Sequence, residues 1–284
     1  MGNGSARFTM TDVMEGPGLW LIGLGPGDLC HMTAFALQVA EACDKRYLEG
    51  YTAILPDDQE EMLDELVGEW DRVMRDGVEN PEKIIQEAQN CMVGIMVVGD
   101  PMQATTHIDL KIRCEDSGVP FHVVPGLSAT SMAVSLSGLQ SYRFGRQVTI
   151  PFPYGEYLPT SPLDMILANY SSNLHTLVLL DLDPTGMGLD SPKPMHPRQA
   201  YDILKAMLER LEEAGDVDIS SLALPLPEWN AILLSDIGTR AQRIVSGNLS
   251  GVSETEGGLI HCLILPAEFS GMEEDVFEHL KADM

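Results

Sequence analysis

The sequence is short of positive charge. Against 43 Asp and Glu stand 17 Lys and Arg, only six of them Lys, for a formal net charge of −26. Direct binding to nucleic acid is disfavoured, because phosphates would be repelled. The acids run through the whole chain rather than forming a tail, and 44% of residues are apolar, which argues against an acidic disordered chain. We read the balance as a heavily hydrated surface suited to high salt, where the Debye length falls to about 3 Å near 1 M; a specialised acidic docking face is the alternative. Long apolar runs are also missing. None approaches the roughly 18 residues that would span a bilayer, and the opening MGNGSARFTMTDVMEGPG has no apolar segment of the signal-peptide kind. Position 6 is Ala6 rather than the Ser or Thr that myristoylation wants. No membrane association is expected. Cysteine is sparse: Cys30, Cys43, Cys91, Cys114 and Cys262, with no C-x-x-C pair. That argues against a disulfide framework or a zinc site and for a reducing, cytoplasmic compartment. No cluster has metal-ligand spacing, so no metal is expected.

What is present is an α/β pattern in two parts. The chain of 284 residues suits one large domain or two modest ones. Residues 1–17 read as a loose extension, with Met10 or Met14 as alternative starts. Leu19 to Ile22 reads as a buried strand, Thr33 to Cys43 as a helix, Met92 to Val98 as a second strand, Ala104 to Asp116 as a helix, and Phe121 to Val124 as a third strand. In ENPEKIIQEAQN, Asn80 stands at a helix N-cap position with Pro81 first in the helix. Strands alternating with helices imply a mainly parallel sheet. The second part has apolar β-rich runs, RQVTIPFP and LHTLVLLDLD, then a long amphipathic helix opened by Pro197 and closed by Gly215. Short strands follow at Ala231 to Ser235, Arg243 to Ser246 and Leu259 to Leu265. This predicts two α/β domains, 18–125 and 126–284, the second more antiparallel.

Two turns fall at carboxyl ends of strands, where open α/β sheets bind ligands. The first, LIGLGPGD, has glycines at 23, 25 and 27 but Asp28 where a dinucleotide fingerprint has its last glycine, and it lacks the Lys-Ser/Thr of a P-loop. On its residues alone it reads equally as a structural turn and as a ligand loop. The second, VVGDPMQATTH, puts Asp100 directly after a buried strand. Asp100 is either a turn residue or a carboxylate that accepts hydrogen bonds from a cationic or hydroxylated ligand. His107 ends ATTH and stands either near the ligand or in helix packing. His175 reads as a residue that satisfies backbone groups, and His261, among Leu259, Ile260 and Leu263, as a buried-strand histidine.

The segments LIGLGPGD, EGYTAIL, VVGDPMQATTH, GLQSYRFG, VTIPFP, LHTLVLLDLD and LIHCLIL occur in that order. Together they resemble the diphthine synthase family, within the tetrapyrrole-methylase-like, S-adenosylmethionine-dependent methyltransferases. The resemblance runs from about Leu19 to the C-terminal strands. It implies two α/β domains with the cofactor cleft between them, S-adenosyl-L-methionine as cofactor, and a homodimer. It implies methyl transfer to the amino group of a modified histidine on translation elongation factor 2. That histidine carries a 3-amino-3-carboxypropyl group, and repeated methylation yields diphthine. Such a cofactor carries no phosphate, so the glycine loop needs no P-loop lysine. Carried over where blocks match, the family's cofactor positions fall on Pro26, Asp100, Gln103, Ala129, Thr130, Leu180, Ser235 and His261. The junction VVPGLSATSMAV departs from the family's His-x-x-Ser-Ile-like stretch, which makes Ser128 an alternative to Ala129. Methyl transfer from a sulfonium rests on in-line proximity, and no general base is assigned.

The resemblance and the acidity together suggest a salt-adapted archaeon. A tetrapyrrole methyltransferase acting on a precorrin-like ring is the rival enzyme, and a non-catalytic module that binds adenosylmethionine is the rival of another class. Arg143 and Arg146, two of the few bases, are candidates to face the cleft and meet a substrate carboxylate; ion pairs with neighbouring acids are the alternative. Self-repulsion among 43 acids destabilises a compact chain at low ionic strength. The melting temperature is therefore expected to rise steeply from low to molar KCl, and a flat profile would remove the salt-adapted reading.

Overall fold

The computed structural model describes residues 16–188, 191–215 and 224–281, so most of the expected extension over 1–17 lies outside the described residues. Two five-stranded sheets organise the chain. The first has β1 (Gly18–Gly23), β2 (Lys45–Glu49), β3 (Asp71–Val73), β4 (Met92–Val97) and β5 (Phe121–Val124) in the order β3-β2-β4-β1-β5, every pair parallel. Helices α1 (Ala34–Ala42), α2 (Asp57–Val67), α3 (Arg75–Glu79), α4 (Glu82–Ala88) and α5 (Ile108–Asp116) connect them. In β1, Leu19 and Leu21 pack into one layer with Ile84 and Leu110, while Trp20 and Ile22 enter the other with Val39 and Leu63. Burial on both faces is why β1 and β4 appear as nearly continuous apolar runs.

The second sheet has β6 (Val148–Ile150), β7 (Thr176–Leu180), β8 (Asn230–Ser235), β9 (Arg243–Asn248) and β10 (His261–Leu265) in the order β6-β7-β10-β8-β9. Only β6 and β7 run parallel; the other pairs are antiparallel. Its elements are joined and flanked by α6 (Ala129–Leu136), α7 (Ser161–Ser171), α8 (Pro197–Ala214), α9 (Leu249–Ser253) and α10 (Glu273–Leu280). One face packs Val178, Leu233 and Leu263 against Leu204 and Leu208 of α8; the other packs Ile232 and Ile264 with Phe277 of α10. Helix α8 starts with Pro197 behind a His196–Gln199 capping box and stops at Gly215, whose φ of 77° turns the chain out of the helix.

Two expected helix boundaries move. Ala104 adopts φ 55°, a left-handed conformation, so α5 starts at Ile108 behind His107 and not at Ala104. Asn80 does not cap the helix that follows; it ends α3, with its amide donating to Asp76 Oδ1 (2.8 Å), and Pro81 takes the N-cap of α4. Of the thiols, Cys43, Cys114 and Cys262 are buried, and burial pushes Cys43 and Cys262 up to about 12.

A single buried carboxylate fastens the C-terminal helix. Glu273, at the start of α10, accepts the backbone N–H of Gln140 (3.0 Å) and of Ser270 (2.9 Å). It pairs with Arg143, which also donates to the Glu268 carbonyl (2.6 Å) and to Asn173 Oδ1 (3.0 Å). His175 completes the group. Its Nδ1 accepts the Ala267 N–H (3.0 Å), so Nε2 carries the proton and donates to Glu273 Oε1 (3.1 Å). Burial works against the Glu273 charge, but the Gln140 and Ser270 N–H groups and His175 outweigh it and hold the carboxyl down at about 2. Its ordinary value is 4.5, so its stabilisation is complete above about pH 4.5 and is lost as pH falls towards 2. The group's share is on the order of 3 kcal/mol. Urea titrations of wild type and Glu273→Gln should therefore differ at pH 6 and converge by pH 2; a difference that does not change with pH contradicts this account.

Candidate functional site

The carboxyl ends of β1, β4 and β5 meet through their glycines. A Cβ on Gly23 would stand 2.5 Å from the Gly126 nitrogen and 2.8 Å from the Gly99 carbonyl oxygen, and a Cβ on Gly126 would overlap that same oxygen. The loops after β1 and β4 also exchange hydrogen bonds, Gly25 N–H to Gly99 O (3.1 Å) and Gly99 N–H to Gly25 O (2.9 Å). Asp100 adds a third tie. Its Oδ1 accepts the Met102 N–H (2.9 Å) and its Oδ2 the Gly126 N–H (3.1 Å). The carboxylate thus shapes its own turn and pins it to the chain segment leading to the second sheet.

The rest of the glycine loop faces the other half of the molecule. A Cβ on Gly27 would lie 2.5 Å from the carbonyl carbon of Gly238, and the Asp28 N–H donates to Gly238 O (2.9 Å). The position that a dinucleotide fingerprint gives to its last glycine therefore docks on the loop after β8.

A cleft opens between the sheets. Of the residues carried over by resemblance, Pro26, Asp100, Gln103, Ala129, Thr130, Leu180 and His261 line it. Ser235 does not; it is buried behind His261, with its hydroxyl 2.8 Å from Nδ1 of that ring. Burial, together with His196 nearby, lowers the His261 pKa against the pull of Asp236, which favours the neutral ring. Ser128 also lines the cleft; it caps α6 and bonds Thr130 Oγ1 at 2.8 Å, so both readings of the junction fall on this wall. The loop after β2 contributes Thr52, Ala53 and Ile54, and the loop after β8 contributes Asp236 and Thr239. The EGYTAIL block carries a signal for the first of these. Nothing in the sequence marks Asp236, whose φ of 49° and bonds to the N–H groups of Leu259 and Ile260 (2.9 Å each) emerge only in the fold.

Arg143 and Arg146 are absent from the cleft wall. Arg143 is engaged by Glu273, and Arg146 is exposed with its backbone held by Asn169. The expectation that one of them faces the cleft is therefore corrected: a buried carboxylate far along the chain claims the first. His107 is fully buried behind the cleft loops, bonded to the Pro101 carbonyl (2.7 Å). Among the described residues no Lys or Arg lines the cleft, while two carboxylates do.

Residues 18–253 match the family model of tetrapyrrole (corrin/porphyrin) methylases. The chain is 34% identical to a diphthine synthase of Methanocorpusculum labreanum, over 92% of this chain and 97% of that one. It is 34% identical to a diphthine synthase of Haloquadratum walsbyi, over 92% and 94%. A crystal structure of a diphthine synthase superposes with a TM-score of 0.78 at 26% identity, covering 93% of this chain and 96% of that one.

The glycine contact generates a stability test. Gly126→Ala must push backbone apart and should lower stability by about 3 kcal/mol or more. Gly118→Ala meets nothing within 4 Å, and its left-handed φ costs about 1 kcal/mol. Equal losses in urea unfolding would contradict the close approach.

Proposed function

The chain belongs to the tetrapyrrole methylase family, among the diphthine synthases, and from that premise we propose how its cleft serves the activity. It is an S-adenosylmethionine-dependent methyltransferase of diphthamide biosynthesis. Bound in the cleft, the cofactor supplies an electrophilic methyl group on a sulfonium. The observation that carries the assignment of the cleft is its set of polar groups: two carboxylates, hydroxyls and backbone groups, with no Lys or Arg among the described lining residues. Such a wall suits a cationic, phosphate-free ligand and would waste its field on a pyrophosphate. Gly99 fits the same reading, since a Cβ there would meet nothing nearer than the Leu127 carbonyl at 4.0 Å.

Pro26, Asp100, Gln103, Ala129, Thr130, Leu180 and His261 are the residues we assign to holding the cofactor. Ser235 acts through His261 by fixing its ring. The Asp100 carboxylate already accepts two backbone N–H groups, so its main part is to shape the turn, and its charge faces a cation. Orientation and exclusion of water supply the rate once the arriving amine has lost its proton and can direct its lone pair at the methyl carbon, and no general base is assigned. The domains are assigned as 18–125 and 126–284, with the cleft between. The substrate we assign is the modified histidine of elongation factor 2, in the cytoplasm of a salt-adapted archaeon, a reading supported by the net charge of −26 and by relatives such as that of Haloquadratum walsbyi. A homodimer is supported by Ile108 and Ile112 of α5, which stay more than half exposed.

Labelled S-adenosylmethionine offered with partly modified elongation factor 2, and separately with a porphyrinoid, tests the reading. Label is expected on the modified histidine. Label on the porphyrinoid would replace this substrate with a tetrapyrrole, and cofactor binding without any transfer would leave only a sensing module.

A further inference from the structure

Behind the cleft lies a buried polar group that the methyl transfer does not use. Glu49, the last residue of β2, and His107, the residue before α5, both have side chains with 0% exposure. The Pro101 carbonyl can only accept, so His107 Nδ1, 2.7 Å away, carries a proton and donates it. The opposite nitrogen, Nε2, lies 3.5 Å from Tyr51 Oη and 3.7 Å from Glu49 Oε1. Glu49 Oε2 accepts the Thr52 N–H (3.2 Å) and the Thr52 hydroxyl (2.8 Å), while its Oε1 has no hydrogen-bond partner among the described residues. A carboxylate this deep, with one oxygen unsatisfied, is costly to keep unless the group it faces matters.

The two ends of this group reach different loops of the cleft. Thr52 belongs to the loop after β2 and Pro101 to the loop after β4, and residues of both loops line the cleft. Nothing in the β2–β4 pairing itself sets how these loops stand, since the ladder ends at Leu48 and Met96. We infer that Glu49 and His107 are positioning residues for the cofactor, a buckle behind the cleft that sets the spacing between the Thr52 and Pro101 loops. Neither touches the ligand. The pair acts as outer-shell residues do at other sites, fixing the orientation of the groups that make contact. This inference rests on the assignment of the cleft to S-adenosylmethionine.

Titration calorimetry with S-adenosylmethionine, on variants whose folding is checked by thermal melting, tests it. His107→Phe fills the ring volume but loses both polar links, and its affinity should fall at least tenfold. His107→Asn keeps a donor nitrogen for the Pro101 carbonyl but nothing that reaches Glu49, so it should bind as weakly as Glu49→Ala. Glu49→Ala should match His107→Phe, and the double variant should be no weaker than either, because the residues act as one unit. If His107→Phe does not fold, Glu49→Ala against Glu49→Gln carries the test, since the amide can still span Thr52 and the ring: tenfold weaker binding is expected for the first and threefold or less for the second. Folded His107→Phe or Glu49→Ala that binds like wild type overturns the inference, as does Glu49→Gln that is no better than Glu49→Ala. A wild-type protein that does not bind the cofactor overturns the assignment of the cleft, and the inference with it.

Discussion

At the carboxyl edge of the first sheet, the backbones of Gly23, Gly99 and Gly126 lie so close that no Cβ fits at Gly23 or Gly126. The loops after β1 and β4 and the segment after β5 are thereby held against one another before any side chain takes part. Asp100 then ties the second loop to the third through the Gly126 N–H, and Gly27 lets the first loop dock on Gly238. The cleft follows from these contacts. Its first wall is the row of loops that the glycines gather, and its second wall is the end of the other sheet, brought up by the docking of Asp28 on the Gly238 carbonyl. The glycines of the opening loop serve approach of backbone to backbone, and no phosphate need enter the account.

Two buried carboxylates stand apart from this chemistry and do different jobs. Glu273 is fully served by N–H donors, an arginine and a histidine, and it fastens α10 to the segments around Gln140 and His175. Glu49 is left with one unpartnered oxygen beside His107. Full satisfaction marks a structural joint; partial satisfaction next to the cleft loops marks a group whose geometry is held for a ligand.

Much of the fold was legible because burial on both faces writes strands as apolar runs. β1 and β4 stand out for that reason, and α8 because its proline and glycine punctuate it. β2 was not legible: KRYLE opens with two bases and ends in a buried acid, an order no periodicity rule reads as a central strand. β3 has three residues and only Val73 buried. In the site, Asp100 was legible as an acid after a strand, but its partner Gly126 lies 26 residues away. Of the two readings of Arg143 the ion pair holds, but its partner Glu273, 130 residues on, leaves no local trace. The YRFG and LHTL segments of this chain come together at the same joint, since Arg143 and His175 both reach Glu273.

The site we propose for the methyl donor is one cleft, walled by loops of both sheets. Hydrogen exchange of backbone amides with and without S-adenosylmethionine reads both walls at once. A donor held between both sheets slows exchange in residues 97–105 and 128–130 together with 234–237 and 259–262, at one cofactor concentration. Protection confined to one sheet, or located instead around the apolar cavity between α7 and Phe269, would contradict it.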